Sequence, residues 1–190
     1  MRTGIFGGSF NPIHNGHLQV ARGMLQKGGL DEVWFLVTPQ NPWKQDAYLM
    51  PDNFRLEMAK AAVDGEVGLE ASDFEFHLSK PSYTWHTLQA LTAAYPDRTF
   101  VLIVGGDNWE RFAQWYHSAD ILAHHEVLVY PRGGAEVDAE TLPPQVSLVD
   151  LPLVDISSTE IRRRLARHLP IGHLVPEAVE RMLTENDRGR

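Results

Sequence analysis

Short runs of β-branched and aromatic residues alternate along this chain with longer stretches in which Ala, Leu and Met recur every three or four positions. Strands separated by helix-length segments cannot pair as hairpins. They are joined by crossovers, which gives a mostly parallel sheet with helices on both faces. The strand segments are residues 3–6, 32–37, 99–104, 126–130 and 147–148. The helical segments are 16–26, 51–63 and 84–94. Pro-rich breaks at 38–42 and 142–144 read as surface loops, and residues 184–190 read as a frayed tail. At 190 residues, with no linker-like tract or internal repeat, the chain is expected to form one domain, 1–190, with a helical segment from about residue 157. The expected fold class is α/β with a doubly wound sheet.

Charge narrows the partners. With 17 Lys plus Arg against 25 Asp plus Glu, the net charge is −8, so no global positive field draws in a nucleic-acid backbone. A phosphate ligand must be held locally. The absence of cysteine excludes disulfides and thiolate metal sites and fits a reducing cytosol. Met1-Arg2-Thr3-Gly4 leads into no apolar run of signal-peptide length, and nothing later approaches the ~20 apolar residues of a membrane span. A cytoplasmic protein without a membrane partner is expected.

The first strand runs straight into Gly7-Gly8, followed by Ser9-Phe10-Asn11-Pro12 and by His14-Asn15-Gly16-His17. Open α/β sheets bind ligands at the carboxyl ends of their strands. Glycines there let backbone N–H groups approach a phosphate with no Cβ in the way; a tight turn that needs φ > 0 is the alternative. The spacing does not match the G-x-G-x-x-G fingerprint, which argues against a dinucleotide oxidoreductase. Asn15 is a good N-cap, so a helix begins here and both imidazoles surround its anion-favouring end. Zinc would need further ligands, and none of the other histidines, His124-His125 included, has a metal spacing with this pair. A purely structural pair of histidines is the remaining alternative.

A second constellation is Asp155-Ile156-Ser157-Ser158-Thr159-Glu160-Ile161-Arg162-Arg163-Arg164. Ser157 and Glu160 have capping-box spacing, with Ser157 accepting from the Glu160 N–H and Glu160 reaching back. Capping does not ask for further hydroxyls at Ser158 and Thr159, nor for cations in a first turn, where the dipole disfavours them. An anion would compensate. Arg162 lies near the apolar edge of Ile161 and Leu165 and is the candidate phosphate ligand, with a solvated face as the alternative; Arg163 and Arg164 point further round into water.

Together the two segments resemble the nucleotidylyltransferase superfamily, marked by H-x-G-H after the first strand and I-S-S-T-x-[IL]-R near the C-terminus. Within it the chain is most similar to the bacterial nicotinate-nucleotide adenylyltransferases. That likeness is carried by Gly7-Gly8-Ser9-Phe10-Asn11-Pro12, Asn41-Pro42-Trp43-Lys44, Pro81-Ser82-Tyr83-Thr84, Gly105-Gly106-Asp107, Trp115-Tyr116 and Leu174-Val175-Pro176-Glu177-Ala178-Val179. The resemblance implies a Rossmann-like fold. It also implies transfer of AMP from ATP to the 5′-phosphate of nicotinate mononucleotide, without a covalent enzyme intermediate. ATP and nicotinate mononucleotide are the implied partners, and Mg²⁺ accompanies the triphosphate without a dedicated protein cage.

By the same resemblance, His14 and His17 meet the ATP phosphates, His17 nearest the α-phosphate, while Ile156, Ser157, Ser158 and Arg162 hold the β- and γ-phosphates. Gly7, Gly8, Ser9, Phe10, Gly105, Asp107 and Arg132 complete the ATP side. Lys44 steadies a phosphate from the opposite side, and Ser82, Thr84, Trp115 and Tyr116 receive the pyridine nucleotide. The catalytic set is His14, His17, Lys44 and Arg162, with no resident metal. Several positions keep a plainer alternative: Arg132 as a surface arginine, Trp115 as core, and Thr84 and Asp107 as helix caps.

The chain departs from the family where an acid commonly follows Tyr-Thr, since here Trp85-His86 stands. Two alternatives therefore remain beside the nicotinate reading. One is adenylylation of nicotinamide mononucleotide or another phosphorylated small molecule, and the other is a non-catalytic nucleotide-binding regulator. Oligomeric state, a homo-oligomer included, is not legible in the sequence.

Overall fold

A computed structural model describes residues 1–39 and 49–188. Its frame is one six-stranded sheet built from β1 (Arg2–Gly8), β2 (Glu32–Val37), β3 (Leu69–Ser72), β4 (Thr99–Gly105), β5 (Glu126–Tyr130) and β6 (Val146–Leu148). The spatial order is β3-β2-β1-β4-β5-β6, and all neighbouring pairs are parallel. The order reverses between β1 and β4, the switch point at which such sheets open a crevice for ligands.

Successive side chains of the central strands enter opposite layers. Phe6, Val33, Phe35, Val37, Val101 and Ile103 pack beneath helices α1 (Asn15–Lys27), α2 (Asp52–Val63), α6 (Ser158–Leu165) and α7 (Glu177–Arg188). Ile5, Trp34, Leu36, Phe100, Leu102 and Val104 face α3 (Thr84–Ala94) and α5 (Ser118–His124) on the other side. The one-turn helix α4 (Gly106–Trp109) follows β4 directly. A sheet apolar on both faces requires helices on both, and the doubly wound α/β expectation holds.

Several local expectations are corrected. β3 and the helices α4 and α5 were not legible. The four-residue Leu-Glu-Ala-Ser segment of β3 has no β-branched run and owes its extension to pairing with β2. Thr38 and Pro39 are buried rather than part of a surface loop, because the Thr38 carbonyl accepts from Arg55 at 3.0 Å. The end of the chain is helical to Arg188, since Val179 and Leu183 are buried in the core and carry α7 past Thr184. Gly7 and Gly8 continue β1 opposite Leu36 and Val37, so neither makes the tight turn; the left-handed residue of this stretch is Phe10, with φ 43°.

Candidate active site

The N-cap of α1 is His14 in extended conformation, not Asn15. Asn15 is the first helical residue, and it turns instead to the C-terminal segment: its N–H donates to the Leu174 carbonyl at 2.9 Å and its Nδ2 to the His173 carbonyl at 3.3 Å. The His14 N–H donates to His17 Nδ1 at 3.2 Å, so the proton of a neutral His17 ring lies on Nε2. The two imidazoles stack with centroids 3.6 Å apart. His14 is 4% exposed, and its Nδ1 is buried without a hydrogen-bond partner. Burial, reinforced by the charge of Arg132, lowers its pKa to about 3, so the ring is neutral at ordinary pH.

Gly16 is dictated by close approach. A Cβ there would lie 2.6 Å from Val154 Cγ1 and 3.0 Å from His14 Nδ1. The middle of the H-x-G-H element is therefore in contact with the segment leading into α6. His14, His17, Tyr130, Arg132, Val154 and Ile156 line one cleft at the carboxyl edge of the sheet.

Helix α6 begins as its sequence asks at Ser157, whose Oγ accepts from the Glu160 N–H at 3.2 Å. The second half of the capping box is replaced, because the Glu160 carboxylate takes the Arg163 and Arg164 guanidinium groups, each Nε within 2.9 Å. Arg163 is exposed as expected, whereas Arg164 is half-buried and its Nη1 also donates to the Pro170 carbonyl at 3.2 Å. Because α6 has eight residues, Arg162, Arg163 and Arg164 stand in its last turn, where the dipole favours cations. The dipole argument for an anion at Arg162 thus falls away. Contact geometry stands in its place: Arg162 Nη1 donates to the Asn11 carbonyl at 2.7 Å, and Ser158 Oγ to the Pro12 carbonyl at 2.9 Å. The two sequence elements are in contact.

Gly7 is exposed with open space where its Cβ would be, and Ser9 is half-buried with its carbonyl held by Arg55. The Phe10 side chain is not available to a ligand; it is buried edge-on against Phe6, Phe35 and His17. At the end of β4, a Cβ on Gly105 would lie 2.8 Å from Asp107 Oδ1 and 2.9 Å from Arg132 Cδ. Asp107 is not the cap, since Gly105 occupies the N-cap position of α4. Its Oδ1 is buried without a partner, and its Oδ2 lies 3.8 Å from Arg132 Nε. Arg132 is an exposed residue whose guanidinium faces both Asp107 and Tyr130.

The remaining candidates form a second group at the start of α3. Tyr83 is the N-cap and Thr84 the first helical residue, so Thr84 does not cap the helix. Ser82 is 7% exposed with a buried, unpartnered Oγ. Tyr116 is 46% exposed, with its ring 4.8 Å from Tyr83 and 5.2 Å from His86. Trp115 is half-buried against Phe112 at 5.1 Å and belongs to the edge of the core. The exposed Tyr116 ring thus groups with Tyr83 and His86, while Trp115 packs on Phe112. Lys44 lies outside the described residues.

The sequence does not show that Tyr83 and His86 group with Tyr116, nor that the Asn11 and Pro12 carbonyls are anchor points. Sequence reasoning also missed Arg55, for which an arginine beside Leu56, Met58 and Ala59 on the buried face of α2 was an available signal.

The sequence profile of the cytidylyltransferase-like family matches residues 5–164. A Bacteroides fragilis protein named "Probable nicotinate-nucleotide adenylyltransferase" is 49% identical, over 98% of this chain and 93% of its own length. A protein of the same name from Cytophaga hutchinsonii is 42% identical, over 96% and 95%. In fold, the chain superimposes with a TM-score of 0.83, at 20% identity, on the Plasmodium falciparum nicotinic acid mononucleotide adenylyltransferase solved with NaAD, covering 98% of this chain and 96% of that one. With the profile spanning most of its length and relatives this similar from end to end, the chain belongs to the cytidylyltransferase-like family and, within it, to the nicotinate-nucleotide adenylyltransferases.

Proposed function

We propose that this chain transfers the adenylyl group of ATP to the 5′-phosphate of nicotinate mononucleotide, releasing pyrophosphate and forming nicotinate adenine dinucleotide, a step of NAD biosynthesis. The observation that carries the reading is the direct contact between the α1 entry and the start of α6, through the Ser158–Pro12 and Arg162–Asn11 hydrogen bonds. In the reaction, a phosphate oxygen of the mononucleotide attacks the α-phosphorus as the bond to the bridging oxygen of the β-phosphate breaks. Pyrophosphate carries away the electron pair. No proton transfer is obligatory, so the protein contributes alignment and stabilisation of spreading negative charge.

His17, with its ring proton on Nε2, is suited to donate to an α-phosphoryl oxygen. His14, neutral and unsatisfied at Nδ1, supports this end of the cleft. Ser157, Ser158 and Arg162, together with Ile156, take the β- and γ-phosphates, and Lys44 steadies a phosphate from the opposite side. Asp107 Oδ1, buried and unpartnered, suits a ribose hydroxyl. Ser82, Thr84 and Tyr116, with Trp115 behind them, receive the pyridine nucleotide.

The described cleft offers the His14 and His17 imidazoles, the Tyr130 hydroxyl and the Arg132 guanidinium, and no cluster of three or more His, Cys, Asp or Glu among the described residues could hold a metal. That donor set suits phosphate oxygens rather than a cation, so Mg²⁺ enters as the counterion of the substrate, MgATP. A cytoplasmic location is part of the same proposal; no described helix is long and apolar enough to cross a membrane, and the cysteine-free composition suits a reducing compartment.

The test is pyrophosphate release from MgATP with nicotinate mononucleotide or nicotinamide mononucleotide as acceptor. The reading expects at least tenfold higher kcat/KM with the nicotinate form. Equal rates would remove the acid preference, and no release with either acceptor would favour the regulator.

A further inference from the structure

Two charged side chains lie buried beneath the carboxyl edge of the sheet, outside the set described above: Arg55, 0% exposed, and Glu75, 6% exposed. Arg55 reaches from α2 into the loop after β1 and to both ends of the connection between β2 and α2. Its Nη1 donates to the carbonyls of Ser9 and Thr38, its Nε to the Met50 carbonyl at 3.0 Å, and its Nη2 to Asp52 Oδ1 at 2.6 Å. An apolar side chain of the same volume could fill that space without the desolvation penalty of a charge. Only a planar fork of donors can hold carbonyls from separate loops in one fixed arrangement.

Glu75 stands in the single turn that follows β3. Its Oε1 accepts from Thr87 Oγ1 at 2.8 Å; Thr87 lies in the first turn of α3 and is 1% exposed. The Thr38 side chain lies near this carboxyl, whose Oε2 is buried without a hydrogen-bond partner, and burial raises its pKa. Thr38 is therefore the joint, with its carbonyl held by Arg55 and its side chain beside Glu75. A path of neighbouring groups runs from half-buried Ser9 through buried Arg55, Thr38 and Glu75 to Thr87, from the loop after β1 to the helix that begins at Thr84.

We propose that Arg55 and Glu75 are positioning residues for adenylyl transfer, setting through Thr38 the separation between the loop that cradles ATP and the start of α3 that receives the pyridine nucleotide. The proposal rests on the functional reading above. In-line attack needs reacting atoms roughly 3–3.5 Å apart, and a misplacement of about 1 Å costs about 10²-fold. A rigid internal path between the two half-sites meets that demand where flexible loops alone would not.

The test uses the full chain and the variants Arg55→Met, Arg55→Lys, Glu75→Ala, Glu75→Gln and Thr87→Val. It measures kcat, KM for each substrate, ATP affinity by calorimetry and thermal midpoint. Glu75→Ala and Thr87→Val are expected to lower kcat at least tenfold while ATP affinity stays within threefold. Glu75→Gln, which keeps an acceptor for Thr87, recovers most of that loss. Arg55→Lys recovers little of the loss caused by Arg55→Met, because an ammonium cannot span the same carbonyls. If Arg55→Met fails to fold, Thr87→Val, which removes one hydroxyl, decides the question. Folded Glu75→Ala and Thr87→Val proteins with kcat within twofold of wild type and only a lower midpoint would overturn the proposal. A wild type without turnover would overturn the functional reading and this proposal with it, whereas an active wild type with indifferent variants overturns this proposal alone.

Discussion

Arg162 Nη1 donates to the carbonyl of Asn11 at 2.7 Å, joining residues 151 positions apart in the chain. The same guanidinium reaches Thr159 Oγ1 through Nη2 at 3.2 Å. Arg162 thus fixes the β1–α1 loop, and in the proposed reaction it also holds a phosphate of ATP. Arg162→Ala is expected to lower turnover by about 10²–10³-fold, the scale of losing one charge-stabilising donor. Arg162→Lys keeps the charge without the fork and recovers only part of that. Steady-state kinetics with saturating MgATP check both, and near wild-type turnover in Arg162→Ala would remove the residue from the mechanism.

His17 turns its Nδ1 inward to the His14 N–H, which leaves the ring proton on Nε2. His17→Ala is expected to lower kcat by about 10²-fold or more, since the lost donor acts on charge that grows in the transition state. Circular dichroism should remain unchanged. An active His17→Ala protein would contradict the assignment.

His14 makes stability depend on pH. Its pKa falls from 6.5 when unfolded to about 3 when folded, so the neutral form is the one the fold accommodates. The contribution is fully present above pH 6.5 and is lost as pH falls through that value toward 3. At pH 5 the loss relative to neutral pH is about 2 kcal/mol, at 1.36 kcal/mol per pH unit. Urea denaturation at a series of pH values should show this slope in wild type and lack it in His14→Asn; parallel slopes would contradict the buried neutral ring.

Gly16 is where the two sequence elements press together, with Val154 Cγ1 only 2.6 Å from an added Cβ. Valine is stiff at χ1 and cannot swing its methyl away cheaply. Gly16→Ala is expected to cost about 1–3 kcal/mol of stability, as overpacking does. It should also reduce turnover below that of the folded fraction, because the shift opens the contact between α1 and the segment before α6. Denaturant midpoints and activity of the same samples separate the two effects.

Much of the candidate site's local geometry was legible because it is local in sequence. The H-x-G-H turn and the Ser157 cap follow from helix-end rules, and the strands of the sheet centre from their apolar runs. What escaped was set by tertiary partners. Asn15 looks like a cap until Leu174 and His173 claim its donors. Phe10 looks like part of a ligand loop but packs into the aromatic cluster beneath it. Arg162 looks misplaced against the helix dipole because nothing in the sequence ends α6 after eight residues. Thr38 looks like loop until Arg55, 17 positions on, takes its carbonyl.

The central claim is that the start of α1 and the start of α6 hold one triphosphate between them. A crystal structure with a non-hydrolysable ATP analogue tests it most directly. The account predicts His17 Nε2 within about 3.2 Å of an α-phosphate oxygen, hydrogen-bond range, with Ser158 and Arg162 on the β- and γ-phosphates of the same molecule. An analogue bound with its phosphates away from both segments, or touching one segment alone, would contradict it.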